Sequence, residues 1–233
     1  MITIIKHNNE KLVLSVENLI YKFSNKSKEL ETEYNFLKNN DFYNIVDPVS
    51  HYSMRLVNPI SFHENHYVMK KLSGQMSHKS NIENDYFLAG CFLRTFHKFQ
   101  LNSGAGEVGF GDFTMEHLFV NHDFQTVTAI DPGISHKTHN SLKQDIPRFL
   151  CKTLSGVFDA DLKIKLIRRF FEGYGEKTVI DDVFLIEINK RIQTNYLKEV
   201  NENRFSIRTK IKAIIKKSLL TIKLNLLYQI IKK

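Results

Sequence analysis

Apolar residues come in short alternating runs at the start of the chain. "ITIIK" (2–6), "KLVLSV" (11–16) and "LIYKF" (19–23) are separated by "HNNE" and "EN", the pattern of a small antiparallel meander. The period then lengthens. In "NKSKELETEYNFLKNN", Leu30, Tyr34 and Leu37 fall on one helical face, behind a start signal at Asn25 or Ser27. "MRLVNPISF" and "HYVMKKL" read as two further strands, ending at Ser73-Gly74 with the first glycine of the chain.

Beyond that glycine the pattern changes. "NDYFLAGCFLRTFHKF" (84–99) is apolar on most faces, as a buried helix is. A loop, a strand, a polar turn and a second strand follow in "GFGDFTMEHLFVNHDFQTVTAIDPG" (109–133). "DIPRFLCKTL", "DLKIKLIRRFFEGYG" and "TVIDDVFLIEINKRIQTNYL" then read as three helices. The order predicts an α+β chain in two parts: a small antiparallel sheet with one inserted helix (1–72), and a mainly helical part with one hairpin (73–204). The linker falls near 72–75, and no repeat or low-complexity segment is visible.

Charge divides the chain differently. Of a net +8, the stretch from Phe205 onward supplies eight basic residues and no acidic one, which leaves 25 basic against 25 acidic residues over 1–204. The basicity therefore belongs to residues 205–233. There Ile207, Ile211, Ile214, Ile215, Leu219, Ile222, Leu226 and Ile230 recur, largely at steps of three or four, with lysines between them, which predicts a basic amphipathic helix. Two partners fit it: an anionic membrane surface, or the helical part of the chain itself, with the basic face outward. Nucleic acid is disfavoured, because residues 206–233 carry one aromatic side chain, Tyr228, and no stacking pattern. Cys91 and Cys151 lie in apolar contexts without metal spacing and read as reduced core residues, which favours a cytoplasmic location, peripheral to the membrane if the helix binds it. No uncharged apolar run is long enough to span a bilayer, and "MITIIKHNNE" lacks the features of an export signal.

Candidate chemistry lies in 109–133. An aspartate amid apolar residues loses hydration that a cation or hydrogen bonds must replace. A lone one is more often a turn or capping residue. Asp112 and Asp131, separated by nineteen residues across a hairpin and with Gly111 before the first, read instead as a pair serving one site.

These residues resemble the aminoglycoside phosphotransferase family, the small-molecule branch of the protein-kinase-like fold. The family's catalytic loop reads His-Gly-Asp, four residues, then Asn, with a second aspartate further on. Here "FGDFTMEH" supplies Gly111 and Asp112, with His117 at the Asn place, and "AIDPG" supplies Asp131. "DIPRFL" and "FFEGYG" also follow as in the family, and the likeness extends over residues 1 to about 200. It implies a bilobal kinase-like fold and an ATP- and Mg²⁺-dependent transfer of phosphate to a hydroxyl of a small molecule or sugar. Asp112 would orient or deprotonate the acceptor, and Asp131, with His117, would hold metal. Lys22 in the third strand would meet the nucleotide phosphates, paired with Glu33 or, alternatively, Glu29. Met69 to Lys71 would face the adenine edge, and His97 reads as a hydrogen-bonded structural histidine.

Three departures from the family pattern stand in the sequence. Phe110 replaces a supporting histidine. His117 replaces an amide ligand, although an imidazole suits Mg²⁺ poorly. No glycine precedes Gly74, so the turn at "KHNNEKL" must serve the phosphates through Asn8 and Asn9, which tolerate left-handed backbone. The alternative reading is a catalytically silent kinase-like binding module. A lipid-linked or lipopolysaccharide-core sugar becomes an attractive acceptor if the tail meets a membrane. No motif identifies the acceptor or an oligomeric state.

Overall fold

The computed structural model describes residues 2–76, 83–103, 109–133, 145–146, 148–150, 160–175, 207, 211 and 214. The helix expected over 178–197, Cys151 and most of residues 205–233 lie outside them.

Strands β1 (Ile2–His7), β2 (Lys11–Val16) and β3 (Leu19–Ser24) form the expected meander, and helix α1 (Ser27–Asn39) follows. With β6 (Pro59–His63) and β7 (His66–Lys70) they make a five-stranded antiparallel sheet, ordered β1-β2-β3-β7-β6. Alternate residues of β3 are buried, and α1 covers the sheet with Leu30, Leu37 and, unusually, Glu33.

The run "MRLVNPISF" is two strands instead of one. Its first half, β5 (Ser53–Leu56), leaves the first sheet and pairs in parallel with β10 (Thr126–Ala129). Two features enforce the break. Pro59 has no N–H for a ladder, and the amides of Leu56 and Val57 are already given to the carbonyls of Phe42 (3.1 Å) and Ala129 (2.9 Å). The second sheet is completed by β4 (Ile45–Val46), β9 (Leu118–Asn121) and β8 (Gln75–Met76), in the order β4-β5-β10-β9-β8. The chain before β6 thus supplies strands to both sheets.

Helix α2 (Glu83–Asn102) is buried on most faces, as its composition predicts. Helix α3 (Ala160–Tyr174) packs on it at backbone contact. A Cβ added at Gly90 would lie 2.0 Å from the Phe170 carbonyl oxygen, and one at Gly173 would lie 2.0 Å from that of Phe87. Only glycines permit this crossing. Below it, Phe92 stacks on Phe113, Phe92 and Phe96 both meet Phe110 edge-on, and Phe149 stacks on Phe170 at 4.2 Å between ring centroids. Cys91 is a free thiol inside this layer.

Asp47 ties the segment between the sheets to α2. It is fully buried and accepts from the Ser50 amide (2.8 Å) and hydroxyl (2.9 Å), from the Thr95 hydroxyl (2.9 Å) and from the Arg94 guanidinium. Burial opposes its ionisation, but these donors outweigh that and hold the carboxyl down at about 2. A depressed carboxyl contributes stability above its unfolded value, and that contribution is lost as pH falls through the folded value. Asp47→Asn is therefore expected to cost about 2 kcal/mol at pH 7 and much less near pH 2. Urea unfolding at both pH values checks this, and an equal loss at each would remove ionisation from the account.

Candidate active site

The loop that carries Asp112 is seated by its neighbours. Phe110 and Phe113 are fully buried in the aromatic layer on either side of Gly111-Asp112. Phe110 thus replaces a polar support with packing. Gly111 has φ +87°, a left-handed backbone that a side chain would strain. Asp145, itself buried, accepts from the amides of Phe110 (2.6 Å) and Gly111 (2.8 Å). Its Oδ2 also lies 3.0 Å from His97 Nε2. Because a carboxylate oxygen only accepts, Nε2 carries the hydrogen, and Nδ1 lies 2.9 Å from the Tyr174 hydroxyl. His97 is the structural histidine its sequence context suggests. The Asp112 carboxylate, in contrast, is half-exposed.

The second loop abuts the first. After β10 the chain turns at Asp131, whose φ of +56° is tolerated by few side chains besides asparagine and aspartate. Gly133 then donates its amide to the Phe110 carbonyl at 2.9 Å, and a Cβ there would sit 2.8 Å from the Asp112 nitrogen. The two aspartates are held side by side by backbone contact.

Two groups bridge the site. His117 ends a short turn (Met115–His117) before β9. Its Nδ1 is 2.8 Å from the Asp112 carbonyl, and its Nε2 is 3.7 Å from Asp131 Oδ2. From the first sheet, the buried Lys22 ammonium donates to both Glu33 oxygens (2.6 and 2.8 Å) and to Asp131 Oδ1. Burial alone would lower the Lys22 pKa, but Glu33 and Asp131 raise it above its ordinary value. Burial would likewise raise the Asp131 carboxyl, yet Lys22 and Lys11 hold it well below the usual range.

Of the residues expected from sequence, the structure brings Lys22, Glu33, Asp112, His117 and Asp131 together, and it selects Glu33 over Glu29 as the partner of Lys22. Met69 lies near the end of β7 and Lys71 just past it. Met69 lies within the ladder, opposite Ile20 and Pro59, and the Lys71 amide is given to the Asn18 carbonyl at 2.8 Å. The turn before β2 departs from expectation. Neither Asn8 nor Asn9 has positive φ, and the amides of Asn8, Glu10 and Lys11 are consumed within the turn. The turn contributes a side chain instead, with Lys11 Nζ 3.9 Å from Asp131 Oδ1.

Three contributors were not singled out from sequence: Lys11, Asp145, and Tyr67, whose hydroxyl donates to Glu33 Oε1 at 2.7 Å. Asp145 opens "DIPRFL", a signal that marks a helix start as readily as a loop brace. Among the described residues no group of three or more His, Cys, Asp or Glu side chains converges as a preformed metal site.

No protein-family model matches the sequence, and no curated protein matches it. Solved structures do match in fold. The GDP complex of aminoglycoside 2'-phosphotransferase-IIIa superposes with a TM-score of 0.60 at 11% identity, covering 97% of this chain and 93% of that one. ADP-bound aminoglycoside phosphotransferase APH(2'')-Ib gives 0.57 at 12% identity, covering 98% and 94%. A choline/ethanolamine kinase family protein from Mesorhizobium loti gives 0.53 at 12%, covering 97% and 92%. The chain has the aminoglycoside phosphotransferase-like form of the protein-kinase-like fold, with an antiparallel-sheet first part and a mainly helical second part.

Asp145→Ala is expected to leave two buried amides and the His97 ring without their acceptor, and to destabilise the chain by about 3 kcal/mol, at about 1–3 kcal/mol for each unsatisfied buried group. Chemical unfolding of the purified variant measures this. A loss below about 1 kcal/mol would show that Asp145 does not brace the loop.

Proposed function

We propose that this chain is an ATP-dependent phosphotransferase acting on a hydroxyl of a small molecule or sugar. The observation that carries the proposal is the Lys22 ammonium held by Glu33 and turned onto Asp131, beside a loop that leaves the Asp112 carboxylate open to solvent. Phosphoryl transfer asks for a fixed cation on the phosphates and a group that aligns the attacking hydroxyl. Lys22 and Lys11 supply the positive charge, and Glu33 and Tyr67 keep Lys22 from wandering. Asp112 accepts the hydrogen bond of the acceptor hydroxyl and takes its proton as the bond to phosphorus forms.

The expected Mg²⁺ fits less well. Asp131 offers hard oxygen, but the second protein donor is an imidazole, and no step here is routed through that ion.

The acceptor class rests on analogy of fold, since the solved relatives are named as aminoglycoside phosphotransferases and a choline/ethanolamine kinase family protein. A sugar is favoured here. If residues 205–233 meet an anionic membrane, a lipid-linked or lipopolysaccharide-core sugar fits that location. Support for membrane contact comes from Ile207, Ile211 and Ile214, which are helical, spaced four and three apart, and 78%, 52% and 50% exposed. No helix among the described residues is long and apolar enough to cross a membrane. The second reading, a silent kinase-like binding module, is favoured by His117 and by the turn at 8–11, whose Asn8, Glu10 and Lys11 amides are spent internally.

Asp112→Asn is expected to lower turnover about 10²–10⁴-fold, the usual share of a positioned base, while ATP affinity stays within about twofold. Labelled ATP with a panel of sugar and amino-alcohol acceptors, plus a thermal-shift titration, measures both. An unchanged rate would remove Asp112 from the mechanism, and no nucleotide-dependent shift in the parent protein would favour the silent module.

The full chain is further expected to co-sediment with anionic vesicles, with about 1 kcal/mol for each basic residue that reaches the surface and weakening in salt. A chain ending at Arg204 should stay in solution while still binding ATP. Unfolding of the shortened chain would instead place the apolar stripe in the core.

A further inference from the structure

We infer that His117 sets the metal preference of this site, shifting it from Mg²⁺ to a first-row divalent cation that accepts nitrogen as well as oxygen, for which Mn²⁺ is the probe. The inference rests on the kinase reading above and concerns one side chain within it.

The geometry fixes which nitrogen is available. His117 is anchored through its backbone, its amide given to the Thr114 carbonyl (3.1 Å) and its carbonyl accepting from the Ile130 amide (2.9 Å). Its ring is then oriented by the Asp112 carbonyl, 2.8 Å from Nδ1. A carbonyl can only accept, so Nδ1 carries the hydrogen, and in the neutral ring Nε2 presents its lone pair. That nitrogen faces Asp131 Oδ2 at 3.7 Å, while Lys22 and Lys11 lie against the other oxygen, Oδ1. The lysines and the imidazole therefore address different oxygens of one carboxylate. Such a ring, oriented by a hydrogen bond through its other nitrogen, is the usual arrangement of a ligating histidine.

The separation is also right for one ion. Two bonds of about 2.1 Å to a common ion put their donor atoms about 3.0 Å apart at a right angle and about 4.2 Å apart when opposed. The observed 3.7 Å is wider than adjacent octahedral positions and narrower than opposed ones, so adjacent ligation asks the two donors to close by under about 1 Å. Two protein donors suffice if nucleotide phosphates and water complete the shell, as in other nucleotide-dependent transferases. Mg²⁺ demands oxygen donors and near-ideal octahedral geometry, whereas Mn²⁺ and the later first-row ions accept imidazole.

The test uses the full chain with AMP-PNP, a non-hydrolysable ATP analogue. Calorimetric titration is expected to show Mn²⁺ binding the protein–AMP-PNP complex at least tenfold tighter, relative to Mg²⁺, in the parent than in His117→Asn. Electron spin echo modulation of bound Mn²⁺ should show a directly coordinated imidazole nitrogen in the parent, and none in His117→Asn. The spin-echo measurement on the parent alone stands even if the variant fails to fold. Mn²⁺ bound with AMP-PNP but without imidazole nitrogen, or equal relative preferences in the two proteins, overturns the inference and leaves the kinase reading intact. Failure of the parent to bind AMP-PNP under any metal overturns the kinase reading itself, and the inference with it.

Discussion

The buried ammonium of Lys22 is the constraint around which the rest of this site is arranged. A lysine taken almost completely out of water is tolerable only if carboxylates replace its hydration, and two do so, from opposite parts of the chain. Glu33 comes from the helix that covers the first sheet, and Asp131 comes from the end of the hairpin in the second. Removing either partner would leave a charge buried against Tyr67, whose hydroxyl is already committed to Glu33. One cation thus joins β3, α1 and the loop after β10, and it does so where phosphates would be handled.

The loops that face this cation are placed by packing and by spent backbone groups more than by ion pairs. Phe110 and Phe113 bury the ends of the Asp112 loop, Asp145 takes its two amides, and Gly133 lets the second loop lie against it at a distance no side chain would allow. Precision of that kind suits an enzyme whose chemistry is mostly positioning. It also explains why Asp112 can be half-exposed without being loosely held: the backbone on which it stands is buried, while the carboxylate is not.

Departures from the family pattern cluster at the phosphate side and the metal side, and they are compensated differently. Where the turn before β2 lacks glycine and spends its Asn8, Glu10 and Lys11 amides on itself, it sends Lys11 toward Asp131. His117 has no such substitute. On the reading proposed here it would present nitrogen where the family has an oxygen ligand, which would change the kind of ion the site suits.

Much of this was legible in the chain. The strand runs and the helical faces follow from hydrophobic period, because burial of one face is a local requirement that local sequence must satisfy. Asp112 and Asp131 are close enough in sequence, across one hairpin, for their spacing to pair them, and the family resemblance marked His117. Two things could not be read that way. The break of 54–62 into two strands in different sheets depends on where the amides of Leu56 and Val57 find their acceptors, and those acceptors are Phe42 and Ala129. Likewise, the choice of Glu33 over Glu29, the turning of Lys11 toward Asp131 and the bracing of the loop by Asp145 join residues 11 to 120 positions apart. Sequence determined which groups need partners, since burial and charge impose that need residue by residue. Only the tertiary structure decided which partners they found, because hydrogen bonds and ion pairs are satisfied by proximity in space, and periodicity carries no record of it.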